Sequence, residues 1–209
     1  EKRNALGGPI PVAIRKLSKN QFFDRNLPFG DKRYRHLDLA AKCLFLSYHS
    51  RIVITKKGDL DLFVLTFRKW HQEGNAKASA SSVAALVAES QKVLDRMSSV
   101  FVKADSLLRQ VGMVTLYYHL YREVEAERVG AVKRDHLAKF EKARLLNREK
   151  VEASGEAGAG VDFDLVEFDK HSQSPNDAYA LRIRLGILLK RLKKVAGIDY
   201  AKSAFAAPD

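Results

Sequence analysis

Met113, Leu116, Tyr117, Leu120, Tyr121 and Val124 recur at intervals of three and four, which puts all six on one stripe of a helix. Arg122, Glu123, Glu125 and Glu127 fall on other faces, so the segment from Met113 to Arg128 reads as an amphipathic helix and the centre of the core. Burying those six side chains contributes about 1.5 to 3 kcal/mol apiece as an upper figure. Replacing Leu120 by Ala is therefore expected to lower stability by about 2 to 5 kcal/mol, read from urea unfolding.

The other segments supply partners of the same kind. Pro11 suits the first turn of a short helix through Leu17, with Val12, Ile14 and Leu17 available to bury. Asn20 to Gly30 reads as irregular. Asp31 is a candidate cap for a helix to about Tyr48, with Leu37, Ala40, Ala41, Leu44, Phe45 and Tyr48 at helical spacing. Ser50 to Thr55 has strand propensity but no partner strand and reads as a connector or a helix end.

Asp59 is placed to cap a helix whose Leu60, Phe63, Phe67 and Trp70 share a face, with Gly74 as its stop. A cap within Ser79 to Ser82 predicts a long helix to about Val102. Gly130 separates the central helix from a charged one, about Val132 to Glu152, in which Leu137, Phe140, Ala143 and Leu146 look inward. Residues 153–160 read as a flexible loop. A Ser174 cap and Pro175 predict a last helix to about Ala196, before Gly197. The sum is an all-α fold, an irregular bundle of about seven helices.

A chain of 209 residues can bury a core large enough to need no metal or disulfide staple. Its single cysteine, Cys43, lies in an apolar run and is expected as a buried, inert thiol, which suits a reducing compartment. No apolar run approaches a membrane span, so a soluble, cytoplasmic protein with no membrane partner is expected. None of the six His residues has zinc-ligand spacing, and no Walker loop, nucleophile elbow or dinucleotide fingerprint is present.

The formal net charge of +12 creates a field that attracts polyanions. Two clusters carry it. Lys32, Arg33, Arg35 and His36, beside Arg25, interleave cations with the Tyr34 ring, which suits a phosphate backbone with a base stacked nearby; Asp31 and Asp38 could instead neutralise them locally. The last helix carries Arg182, Arg184, Lys190, Arg191, Lys193 and Lys194 with no acid between Arg182 and Lys194. These cations spread around the helix rather than forming one stripe, so phosphate contact competes with simple solvation while Leu181, Leu185, Leu188 and Leu192 bury one side.

The first residues carry a family resemblance. Glu1, Arg3, Asn4 and Ala5 match the "ExRNA" that closes the ParB/sulfiredoxin-like domain of GmrSD-type restriction proteins. Three later segments come in that family's order: Asp31 to Ala40, Gly112 to Tyr121, and Phe168 to Ala178. The resemblance implies that residues 1–30 are the end of the ParB-like domain and a connector, and 31–209 a C-terminal helical domain. It implies a parent that is a nucleotide-dependent, DNA-directed restriction or anti-phage protein.

The family's Asp-Gly-Gln-Gln-Arg motif and its metal nuclease domain are not in this sequence. The expectation is therefore a fragment with no complete active site and no cofactor of its own, completing a front half that handles a nucleoside triphosphate with a divalent metal. By the resemblance Arg3 would hold a phosphate and Asn4 a ribose or backbone group of that nucleotide, or the two would pin the closing helix of the ParB-like domain. Expected partners are DNA, the ParB-like domain and a second copy of the chain. The rival reading is a non-enzymatic basic helical module for DNA binding or protein docking.

Overall fold

A computed structural model describes residues 7–49, 51–123 and 131–197. Among these the fold is all-α: eight α-helices, joined by short 3-10 and π-type turns, with no strand. The helices are α1 Pro9–Leu17, α2 Arg35–Tyr48, α3 Lys57–Gln72, α4 Ala76–Val100, α5 Val111–Glu123, α6 Arg134–Ser154, α7 Phe163–His171 and α8 Ala178–Ala196. The opening motif with Arg3 and Asn4, the end of the central helix with Val124, and the residues after Gly197 lie outside the described residues.

The stripe expected on α5 is buried: Met113, Leu116, Tyr117, Leu120 and Tyr121 are all between 0 and 4% exposed. Val114, Thr115, Tyr118 and His119 are buried too, so α5 is enclosed on every side rather than along one stripe. It packs against α2 and α4 on one side and α8 on another. In this way α5 joins a front group, α1 to α4, to a back group, α6 to α8.

Helices on both sides of residue 30 share this core, since Ile10, Ile14 and Leu17 of α1 join Leu39 and Leu44 of α2 in one apolar cluster. The segment read as irregular adds to it. Residues Phe22–Asn26 form a π-type turn in which Phe22 and Phe23 are buried, and the Asn20 side chain accepts from the Phe22 amide to open it. Short polar spacing around two adjacent rings gave no helical period to detect.

Two helix starts differ from expectation. The long helix α4 begins at Ala76, three residues before the serines, and Ser79 is buried with its hydroxyl hydrogen-bonded to His71 Nδ1 at 2.8 Å. α8 is capped by Asp177, whose carboxylate accepts from the Tyr179 and Ala180 amides; Ser174 instead closes a turn before it. Residues 155–162 form a turn-rich loop, and Phe163–His171 is a helix in its own right.

In α6, Leu137 and Phe140 point inward as expected, but Leu146 is 48% exposed. The inward line continues through Arg144 and Asn147, because steps of three repeated without a step of four drift off the buried face. The predicted thiol is as expected: Cys43 is buried, and that burial pushes its pKa upward. Among the described residues no helix is long and apolar enough to cross a membrane.

Candidate functional site

Lys32, Arg33, Tyr34 and Arg35 lie on an exposed turn that leads into α2. Arg33 (φ 58°) and Tyr34 (φ 60°) are both left-handed, a conformation that side chains other than Gly rarely adopt. The turn survives because its base is pinned. Asp31 Oδ1 accepts the His36 amide at 2.7 Å, the buried His36 ring contacts the Phe29 carbonyl oxygen through Nε2 at 3.1 Å, and Phe23 and Phe29 flank that ring.

Among the described residues neither Asp31 nor Asp38 forms an ion pair with a cation of the turn. Asp31 holds the His36 amide, and Asp38 lies 3.0 Å from Lys42. Among the described residues Lys32 and Arg33 have no ion-pair partner, while Arg35 lies over the Phe29 ring at 5.4 Å. Tyr34 is 47% exposed beside them. Arg25 is exposed as well, and its carbonyl accepts the Ala104 amide at 2.9 Å.

The second cluster is different, and the expectation for Arg184 is corrected. Arg184 is 1% exposed, with its guanidinium against the Phe168 ring and Met113, so it cannot reach a phosphate backbone. Lys190 pairs with Asp164 at 2.6 Å, Arg191 pairs with Asp162, and Arg182 donates to the Ala178 carbonyl. Lys194 is exposed near the helix end. The acids on α8's partners come from the start of α7, which a reading of the last helix alone could not supply.

A third group was not singled out from the sequence. Arg144 of α6, 2% exposed, and Arg184 of α8 lie over the Phe168 ring at 5.2 and 5.0 Å. Asp169 joins Arg144 (Nε to Oδ1, 2.7 Å) to Arg148, which it grips through both oxygens. Glu141 also holds Arg144 at 2.7 Å. Beside Asp169 opens a cleft of about 400 Å³, lined in part by Gln110, Arg148, Asp169, Lys170 and Gln173. The only signal in the sequence was an arginine at an inward position of a charged helix.

Comparison with protein-family models, with curated proteins and with solved structures returned no match. Among the described residues no group of three or more His, Cys, Asp or Glu is placed to hold a metal ion. The chemistry visible in the described residues is thus that of charge and hydrogen bonding at the exposed turn and at the arginine cluster.

Proposed function

We propose that the chain is the DNA-contacting helical region of a GmrSD-like, nucleotide-dependent restriction or anti-phage protein. The observation that carries the DNA contact is the turn at residues 32–35: three exposed cations beside an exposed ring, on a base fixed by Asp31 and His36. Lysine and arginine there would neutralise backbone phosphates, and Tyr34 offers a face on which a base can stack. Lys194 would add a more distant phosphate contact.

The wider role rests on Glu1, Arg3, Asn4 and Ala5 and on the three later segments that resemble the family. In that role the helical region braces a ParB-like domain in which Arg3 and Asn4 face the nucleotide. Reading the gene upstream of Glu1 tests it, since a ParB-like domain without Asp-Gly-Gln-Gln-Arg would favour a non-enzymatic basic module.

The turn has its own test. Duplex affinity measured against salt concentration should fall steeply for the natural chain, and Lys32→Glu, Arg33→Glu and Arg35→Glu together should reduce the magnitude of the log–log slope by about 2 to 3. An unchanged slope would remove these residues from the contact. Binding that does not respond to salt at all would remove direct backbone contact.

A further inference from the structure

The arginine cluster is short of negative charge. Arg144, Arg148 and Arg184 bring three positive charges, against two carboxylates, Asp169 and Glu141. Asp169 is shared between Arg144 and Arg148, and Arg184 touches no carboxylate among the described residues. Its Nη2 points at Met113 Sδ, 3.1 Å away, and a thioether is a weak acceptor. Its Nε and Nη1 have no hydrogen-bond partner although both are buried.

The Tyr117 hydroxyl, from a fully buried side chain on α5, is without a partner too. A buried guanidinium with no carboxylate in contact and two donors unpaired is an unfavourable arrangement for a protein interior, even with Asp169 acting on it from a distance. The strain shows in its acidity: burial first, and the Arg144 charge second, push the Arg184 pKa down to about 10.

We infer that a small oxyanion, a phosphate or carboxylate group, binds at Arg184 and Tyr117 and supplies the missing charge and acceptors. Its route is the cleft at Asp169. Asp169 lines the cleft and also contacts Arg144, and the same wall carries Arg148 and Lys170 against Glu152 and Glu156. Gln110 and Gln173, which also line the cleft, are close in sequence to Gly112, which lies near the Arg184 guanidinium, and to Pro175, which packs on Gly112. A Cβ added at Gly112 would lie 2.5 Å from Pro175 Cβ and 3.6 Å from Arg184 Nη1, so the absence of a side chain there is what lets Pro175 pack so closely.

This site is separate from the turn at residues 32–35, and the experiment keeps the two apart. Inorganic phosphate, sodium acetate and sodium chloride are titrated into the full chain at constant ionic strength, with calorimetry and thermal unfolding as readouts. The expected result is saturable one-to-one binding of phosphate, of acetate, or of both, with a rise in Tm of several degrees near saturation. Whichever ion saturates names the oxyanion class.

Arg184→Met should weaken that binding at least about tenfold and raise the Tm measured without added anion, because the uncompensated charge is gone. Tyr117→Phe removes one hydroxyl and should weaken binding severalfold, which serves if the Arg184 variant does not fold. The triple Glu variant of the turn should bind the anion as the natural chain does. Absence of saturable binding, saturation by chloride alone, or unchanged affinity in the folded variants would overturn the inference.

Discussion

Asp105→Ala is expected to destabilise the protein by about 3 to 5 kcal/mol, because two backbone amides lose a charged acceptor, at about 1.5 to 3 kcal/mol each, and the part-exposed Arg134 loses its partner. The carboxylate is buried and carries four contacts. Oδ2 accepts the Val102 amide at 3.0 Å, Oδ1 accepts the Leu107 amide at 3.0 Å, and Arg134 grips both oxygens at 2.7 and 3.0 Å. Burial alone would raise its pKa, but the Arg134 fork and the two amides outweigh burial and hold it below the ordinary carboxylate value.

The residue also ties the chain together. Its own amide donates to the Asn26 carbonyl at 2.8 Å, and the Asn26 side chain donates to the Phe101 carbonyl and accepts from Ser98. One junction therefore fixes the π-type turn to the end of α4 and the start of α6. For a chain of this size each kcal/mol lowers Tm by about 2 to 4 °C, so calorimetry should register a drop of about 6 to 20 °C. A change within about 1 kcal/mol, in a variant that stays folded, would show that the junction is not a principal support.

Acidification from pH 7 should cost the protein stability chiefly through His119. Its ring is fully buried, and both nitrogens are without partners. Burial first, and the Arg122 charge second, lower its pKa from 6.5 to about 3. The unfolded chain therefore takes up a proton that the folded chain refuses between those values. The contribution is whole above pH 6.5 and is lost progressively as pH falls toward 3, to a total of about 5 kcal/mol at most.

His49 adds to the same trend. Its pKa is lowered by burial and by the charges of Arg51 and Arg122. Urea unfolding at pH 7.5, 6, 5 and 4 should thus show a falling free energy in the natural chain. His119→Leu should flatten most of that fall, because a neutral apolar side chain has no proton to refuse. Equal slopes in the two proteins would place the acid sensitivity elsewhere.

Leu120 is 0% exposed, which supports the loss expected for Leu120→Ala from the spacing alone. That residue and Asp105 mark the boundary of what could be read in advance. A periodic stripe declares its own burial, since only a packed helix satisfies steps of three and four, and the stripe on α5 accordingly lies at the centre of the bundle. Asp105 has no such declaration. A reader of Val102 to Leu108 sees an acid before a short turn, but Arg134 stands 29 positions away and Asn26 at a greater distance.

The same division runs through the candidate sites. Cations alternating with a ring at residues 32–35 stood out because they are contiguous, and the turn carries them on the surface. Arg184 looked like their equal in a basic helix, yet the structure buries it with Arg144 against Phe168. Charge is a property of the residue, whereas exposure depends on which faces the neighbouring helices cover.

By itself the sequence determined the helical class, the central helix and the sign of the field around the molecule, each following from local spacing or summed charge. Only the tertiary structure decided which acids pair with which cations, and that three arginines meet two carboxylates in the back half of the bundle. Those pairings join residues from separate helices, and nothing in the order of a chain specifies them until the helices pack.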